Sequence, residues 1–247
     1  MKLIEKPGTR QESPAMACAN LGIPAVFNAD PEVGFTSYYA LDGKGQPDYN
    51  KGSLAVQTTE IGTYFFNAEG EGIPNTAMDG GKVYSFGPYA VTEPDANNIC
   101  TVPTMSPTHV VLAAIPAVPD DPATPDDESA PGQPAIDAMM VWTNVRVYVT
   151  AASFGSQVQA DLVFTRRGPT GETCTIGYNT VAMAPAVPCR MADADGNPMM
   201  NADGTYVVDP AACDPANGSG ISPNTDYMCA PDSGFCVVNG ETIPALK

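Results

Sequence analysis

Three consecutive stretches, "MMVWTNVRVYVT" (139–150), "VQADLVFTRR" (158–167) and "ETCTIGYNTVAMA" (172–184), alternate apolar and polar side chains with a period of two. Successive side chains of a β-strand point to opposite faces, so this period specifies half-buried strands. In the first, Val141, Val145, Val147 and Val149 are predicted on one face, and Trp142, Asn144, Arg146 and Tyr148 on the other. In the second, Val158, Ala160, Leu162 and Phe164 oppose Gln159, Asp161 and Thr165; in the third, Cys174, Ile176 and Tyr178 share a face. The connections "AASFGS" and "RGPTG" are short, which makes an antiparallel meander with one buried and one wet face.

The rest of the chain supports the same class. With 23 Gly and 25 Pro it is poorly suited to helix interiors, while its Val, Thr, Tyr and Phe favour pleated sheet. "SLAVQTTEIGTYFFNA" reads as two strands or one bent strand with Gly62 at the kink, and "KVYSFGPYAV" as a strand that Pro88 confines to an edge. The predicted fold is an all-β antiparallel sandwich, or alternatively a wide barrel. Residues 1–32 read as an extended N-terminal arm, and 33–188 as the sandwich. Within it, 116–137 form a Pro-rich loop carrying Asp120, Asp121, Asp126, Asp127 and Glu128. Residues 189–247 read as a loop-rich C-terminal extension.

That extension raises the question of what holds it together. The cysteines are Cys18, Cys100, Cys174, Cys189, Cys213, Cys229 and Cys236, and the last five lie among Pro, Gly, Asn and Asp. Such a segment has little apolar surface to bury, and cross-links substitute for a core. No CxxC occurs and His109 is the only histidine, so a Cys/His zinc site is disfavoured. Cys100, Cys174, Cys189, Cys213, Cys229 and Cys236 are therefore the expected disulfide cysteines, in any of fifteen pairings. Cys18, isolated in "PAMACANLG", is expected to be left over, either as a free thiol or as a lipidation site. The residues before it include Glu5, Lys6, Arg10 and Glu12 and form no apolar leader.

Net charge is −17, with 28 acidic against 11 basic residues, and no basic stripe is visible. Phosphate recognition needs such a stripe, so nucleic acid is excluded as a partner. The longest apolar run, "HVVLAAIPAV", is too short to span a bilayer. There is no GxSxG elbow to partner His109, and no phosphate-binding glycine motif. No catalytic residue is assigned, and a non-enzymatic protein is expected.

Two binding candidates remain. The Trp142, Asn144, Arg146, Tyr148 row would be an amphipathic aromatic surface able to stack a sugar or line a pocket. Asp193, Asp195, Asn197, Asn201 and Asp203 lie within eleven residues and offer hard oxygens for calcium, although Gly196 and Gly204 break the EF-hand template. The competing reading is a pair of Asx turns. No other cofactor is implied.

"CTVPTMSPT" (100–108), "CTIGYNTVAMAPAVPC" (174–189) and "CDPANGSGISPNTDYMCAPDSGFC" (213–236) resemble stretches of uncharacterised cysteine-bearing envelope lipoproteins of myxobacteria and related bacteria. The resemblance implies an exported, disulfide-bearing protein of the cell envelope or beyond, with a possible lipid anchor, and it carries no catalytic residues. The expected function is a surface structural or interaction protein, self-assembling or bound to protein partners through the N-terminal arm. The alternatives are a sugar- or lipid-binding β-domain and a hydrolase using acidic residues.

Overall fold

A computed structural model of the chain describes residues 1–23, 25–27, 33–119, 132–150 and 153–247. In chain order the elements are β1 (Lys2–Glu5), β2 (Gln11–Ser13), α1 (Ala17–Asn20), β3 (Val26–Phe27), β4 (Val33–Leu41), β5 (Pro47–Thr58), α2 (Thr59–Gly70) and β6 (Ser85–Pro88). There follow β7 (Ile99–Thr104), β8 (Thr108–Leu112), β9 (Ile136–Thr150), β10 (Ser153–Arg167), β11 (Thr173–Met183), β12 (Tyr227–Ala230) and β13 (Phe235–Val238). The fold is all-β and antiparallel. A large open sheet runs β3-β1-β11-β10-β9-β7, with β2 also on β11 and β8 also on β9. A second sheet has the order β4-β5-β6, and β12-β13 form a small ribbon.

The predicted meander is the centre of the large sheet. Trp142 pairs with Leu162, and Leu162 with Tyr178, so one row crosses β9, β10 and β11. All three side chains are at most 1% exposed. Full burial of each large apolar side chain contributes about 1.5–3 kcal/mol, which makes this row the floor of the core. Leu54 and Val56 of β5 lie in the same core, as do Ile61 and Ala68 of α2. The second layer is thus a three-stranded sheet plus a helix. Hydrogen bonds lace the layers along one side: Ala90 N to Thr101 O, Ser106 N to Phe86 O and His109 N to Lys82 O.

Two expectations need correction, and a third falls largely outside the described residues. The segment read as bent strand includes α2. Its β-branched and aromatic residues imitate a strand, but Ile61, Tyr64 and Ala68 recur at helical spacing and turn to the core. The N-terminal arm is not free. β1 pairs with both β11 and β3, β2 pairs with β11, and Met1 and Leu3 are buried. The described part of the arm completes its own sheet, so it has no strand to donate to a neighbour. Of the acidic Pro-rich loop, 120–131 lie outside the described residues; its flanks close through an Ile115–Gln133 bridge.

The C-terminal extension forms a third layer on the outer face of the large sheet. Val238 and Ile243 pack with Ile99 and Val181, and Tyr148 lies against them. Gln157, 0% exposed, accepts from Ala245 N and donates to Thr225 Oγ1, while Gln159 accepts from Ile243 N. Polar outward residues of β10 therefore bond the extension's backbone instead of water.

Candidate functional site

Where β9 ends and β10 begins, the two sheets do not close on each other. They leave a cleft of about 1030 Å³. The small sheet contributes Phe35, Ser37 and Tyr39 from β4, and Gly52 and Leu54 from β5. The large sheet contributes Cys100, Val147, Val149, Val158 and Ala182, and Phe66 of α2 and Tyr89 complete the wall. β4 makes this possible by alternation: Phe35, Ser37 and Tyr39 face the cleft, while Thr36 and Tyr38 face away. At Gly52, an added Cβ would come within 3.0 Å of the Tyr89 ring and 3.2 Å of the Tyr39 ring. The missing side chain is what lets both tyrosines line the opening.

The valine wall depends on one irregularity. The β9–β10 register shifts between Thr143–Asp161 and Arg146–Gln159, so Asn144 and Val145 together oppose Ala160. Asn144 sits at φ 51, the left-handed region that Asn tolerates better than most residues. One extra residue exchanges the two faces from that point on. Trp142 before the bulge and Val145, Val147 and Val149 after it consequently share the inner face. The expected row of Trp142, Asn144, Arg146 and Tyr148 is thus divided. Trp142 is in the core, whereas Asn144 is exposed and Tyr148 packs under the C-terminal extension. Arg146 donates to Gln159 on that outer side. Without the bulge, Arg146 and Tyr148 would have replaced the valines.

Apolar surface predominates in the cleft, but Asn50, Gln57, Thr58, Thr59, Thr63 and Thr92 also line it. Ser37 Oγ and Tyr89 Oη are hydrogen-bonded at 2.7 Å. Burial pushes the Tyr89 phenol above its ordinary range, against the opposing bond to Ser37. Cys100 is half-buried on the wall with a free thiol, held above its ordinary range by burial and then by the charge of Asp95. The arrangement can take an apolar body against the valines and present the Ser37 and Tyr89 hydroxyls to a polar end.

The remaining predicted residues lie elsewhere. The bridges are Cys18–Cys174, Cys189–Cys229 and Cys213–Cys236, so the unpaired cysteine is Cys100 and not Cys18. Cys18 is isolated only in sequence. In space α1 packs on β11, and Cys18 is fully buried with its sulfur bonded, so that sulfur is not available for acylation. Cys229 and Cys236 face each other on β12 and β13, yet each bonds outward to a different strand-free segment. Asp193 accepts from the Asp195 and Asn197 backbone N–H groups, and Asp203 from Thr205 N and Oγ1. Asn201 donates to Thr205 Oγ1 and to Tyr206 O. These side chains cap two successive exposed turns, closed by the Ala192–Pro198 and Met200–Tyr206 bridges. His109 lies away from the cleft, with Nδ1 2.9 Å from Asp79 and Nε2 3.4 Å from Asp137.

Fold and cleft together define a two-layer β-domain with an open, predominantly apolar cleft between its sheets. The chain belongs to the MlpA family, whose profile matches residues 7–185. That span holds the small sheet, all of the large sheet except β1, and the Cys18–Cys174 bond, and it ends before the Cys-rich extension. A Myxococcus xanthus protein described as "Putative lipoprotein MlpA" is 32% identical over 115 residues, covering 43% of this chain. The match spans 38% of that relative's length. No solved structure matches the chain.

Proposed function

We propose that this chain is a non-enzymatic, envelope-associated binding protein whose cleft holds an elongated apolar ligand of the acyl-lipid class. The observation that carries the proposal is the cleft itself: an opening of about 1030 Å³ walled by Val147, Val149, Val158, Phe35 and Tyr39 at the margin of the core. Ligand cavities of soluble domains are of this size and are mostly apolar, with a few polar groups that fix orientation. The Ser37–Tyr89 hydroxyl pair would receive the polar end. Envelope association is supported by the relative's description as a lipoprotein and by three disulfides, which persist in oxidising compartments. Any lipid anchor would have to use an attachment other than the bonded sulfur of Cys18.

The test is titration with cis-parinaric acid, a fluorescent fatty acid, on the native chain and on Gly52→Leu. The strand backbone at Gly52 lies outside the left-handed region, but a side chain there must displace the Tyr89 and Tyr39 rings, 3.0 and 3.2 Å from its Cβ, as it enters the cleft, so circular dichroism and thermal unfolding establish that the variant folds. Saturable binding by the native chain, at least tenfold weaker in the variant, is expected. Equal binding by both, or none by the native chain, would contradict the proposal.

A further inference from the structure

The small sheet presents aromatic side chains on its outward face as well. Cross-strand neighbours Thr36, Ala55 and Phe86 form a row over β4, β5 and β6. Gly34 and Tyr38 lie on the same face of β4, and Tyr84 precedes β6. Gly34, Thr36 and Ala55 are too small to fill the space between the rings. The result is a shallow groove of about 410 Å³ with Tyr38, Tyr84 and Phe86 as its walls. These rings are 53%, 42% and 39% exposed, and Tyr38 and Phe86 are 6.3 Å apart between centroids. Exposed aromatic residues gathered on one sheet face mark interaction surfaces.

The geometry points to a second binding site here, for a neutral oligosaccharide. Three observations select that class. None of the seven lining residues is charged, although the chain carries a net charge of −17, so the groove is a neutral island that favours an uncharged ligand over a basic partner. The groove's volume lies within the roughly 300–1,000 Å³ range of small-molecule sites. The lining also alternates flat rings with hydrogen-bonding groups, namely the Tyr38 and Tyr84 phenols, Thr36 and Gln57. A pyranose ring has this same duality, with an apolar C–H face that stacks on an aromatic ring and equatorial hydroxyls that bond at its edge.

The experiment is calorimetric titration of the full chain with cellohexaose, maltohexaose and chitohexaose, and with hexagalacturonate as an anionic comparator. Saturable binding of a neutral hexasaccharide is expected, at least tenfold weaker in Tyr38→Ala and Phe86→Ala and unchanged in Gly52→Leu, which fills the inner cleft. Circular dichroism and thermal unfolding establish that the variants fold. The inference is overturned if no neutral hexasaccharide binds at millimolar concentration, if the anionic one binds preferentially, or if both groove variants bind as the native chain does. It is also overturned if light scattering finds a dimer that Tyr38→Ala dissociates without any effect on sugar binding.

Discussion

Cys18 and Cys174 are bonded across 156 residues of sequence, with Cα atoms 4.8 Å apart and neither side chain exposed. The bond fastens α1 to β11, so the N-terminal segment and the centre of the large sheet cannot separate without breaking it. A cross-link over so long a loop removes much unfolded-state entropy. Cys18→Ala combined with Cys174→Ala should lower unfolding free energy by about 2–5 kcal/mol. The midpoint of urea denaturation reads this, and an unchanged midpoint would mean that the segment is held by β1 and β2 pairing alone.

Cys100 is the free thiol and lies on the cleft wall. Burial raises its pKa, so the reactive thiolate appears at higher pH than for an ordinary cysteine. Iodoacetamide added to the native protein should label this one residue slowly at pH 7 and faster as pH rises. cis-Parinaric acid in the cleft should slow the labelling further. Mass mapping of the alkylated peptides checks both.

Asp161 accepts from Lys6 Nζ at 2.5 Å and from Asn144 Nδ2 at 2.8 Å, tying β10 to the loop after β1 and to the bulge. Burial pushes its carboxyl up, but the two hydrogen bonds and the lysine charge outweigh it and hold the pKa below the usual value. A carboxylate depressed in the folded state stabilises above its unfolded pKa, and that contribution is lost as pH falls through the folded one. Asp161→Asn should therefore reduce stability at pH 7 and flatten the decline below about pH 4, where carboxylates titrate. Thermal unfolding between pH 2 and pH 7 measures it.

Trp142 lies beneath the sheet at 1% exposure. Its emission should be blue-shifted in the native state, resist quenching by iodide, and shift to the red only on global unfolding. Strong iodide quenching of the folded protein would place the indole on the surface and reverse the assignment of faces around Asn144.

The same residues show what a sequence conveys and what it does not. Alternation is a local signal, and it located β9, β10 and β11 because parity holds over many residues in β10 and β11 and on either side of Asn144 in β9. Parity cannot be carried through Asn144, because a bulge is defined by the partner strand, and nothing in "WTNVRV" announces that two of its residues oppose only Ala160. α2 was obscured because Tyr64, Phe65 and Phe66 have strand-like propensity, while its tertiary contacts through Ile61 and Ala68 decide for helix. Cysteine pairing is equally non-local. Cys18 has no cysteine near it in sequence, and its partner becomes visible only once β1 and β2 lie on β11. The cleft was not legible, because "EVGFTSYYA" places Phe35 and Tyr39 at one parity and Tyr38 at the other, and only the tertiary arrangement decides which of them meets the large sheet.

The most direct test of the inner cleft is a methyl NMR titration of the isotopically labelled chain with dodecanoate. Leu54, Val147, Val149 and Val158 line the cleft, whereas Val237 and Val238 lie in the C-terminal extension. The account predicts saturable shifts of the first four methyl-bearing residues with Val237 and Val238 unmoved, and loss of those shifts in Gly52→Leu. Shifts spread evenly over both groups, or none at saturating dodecanoate, would contradict it.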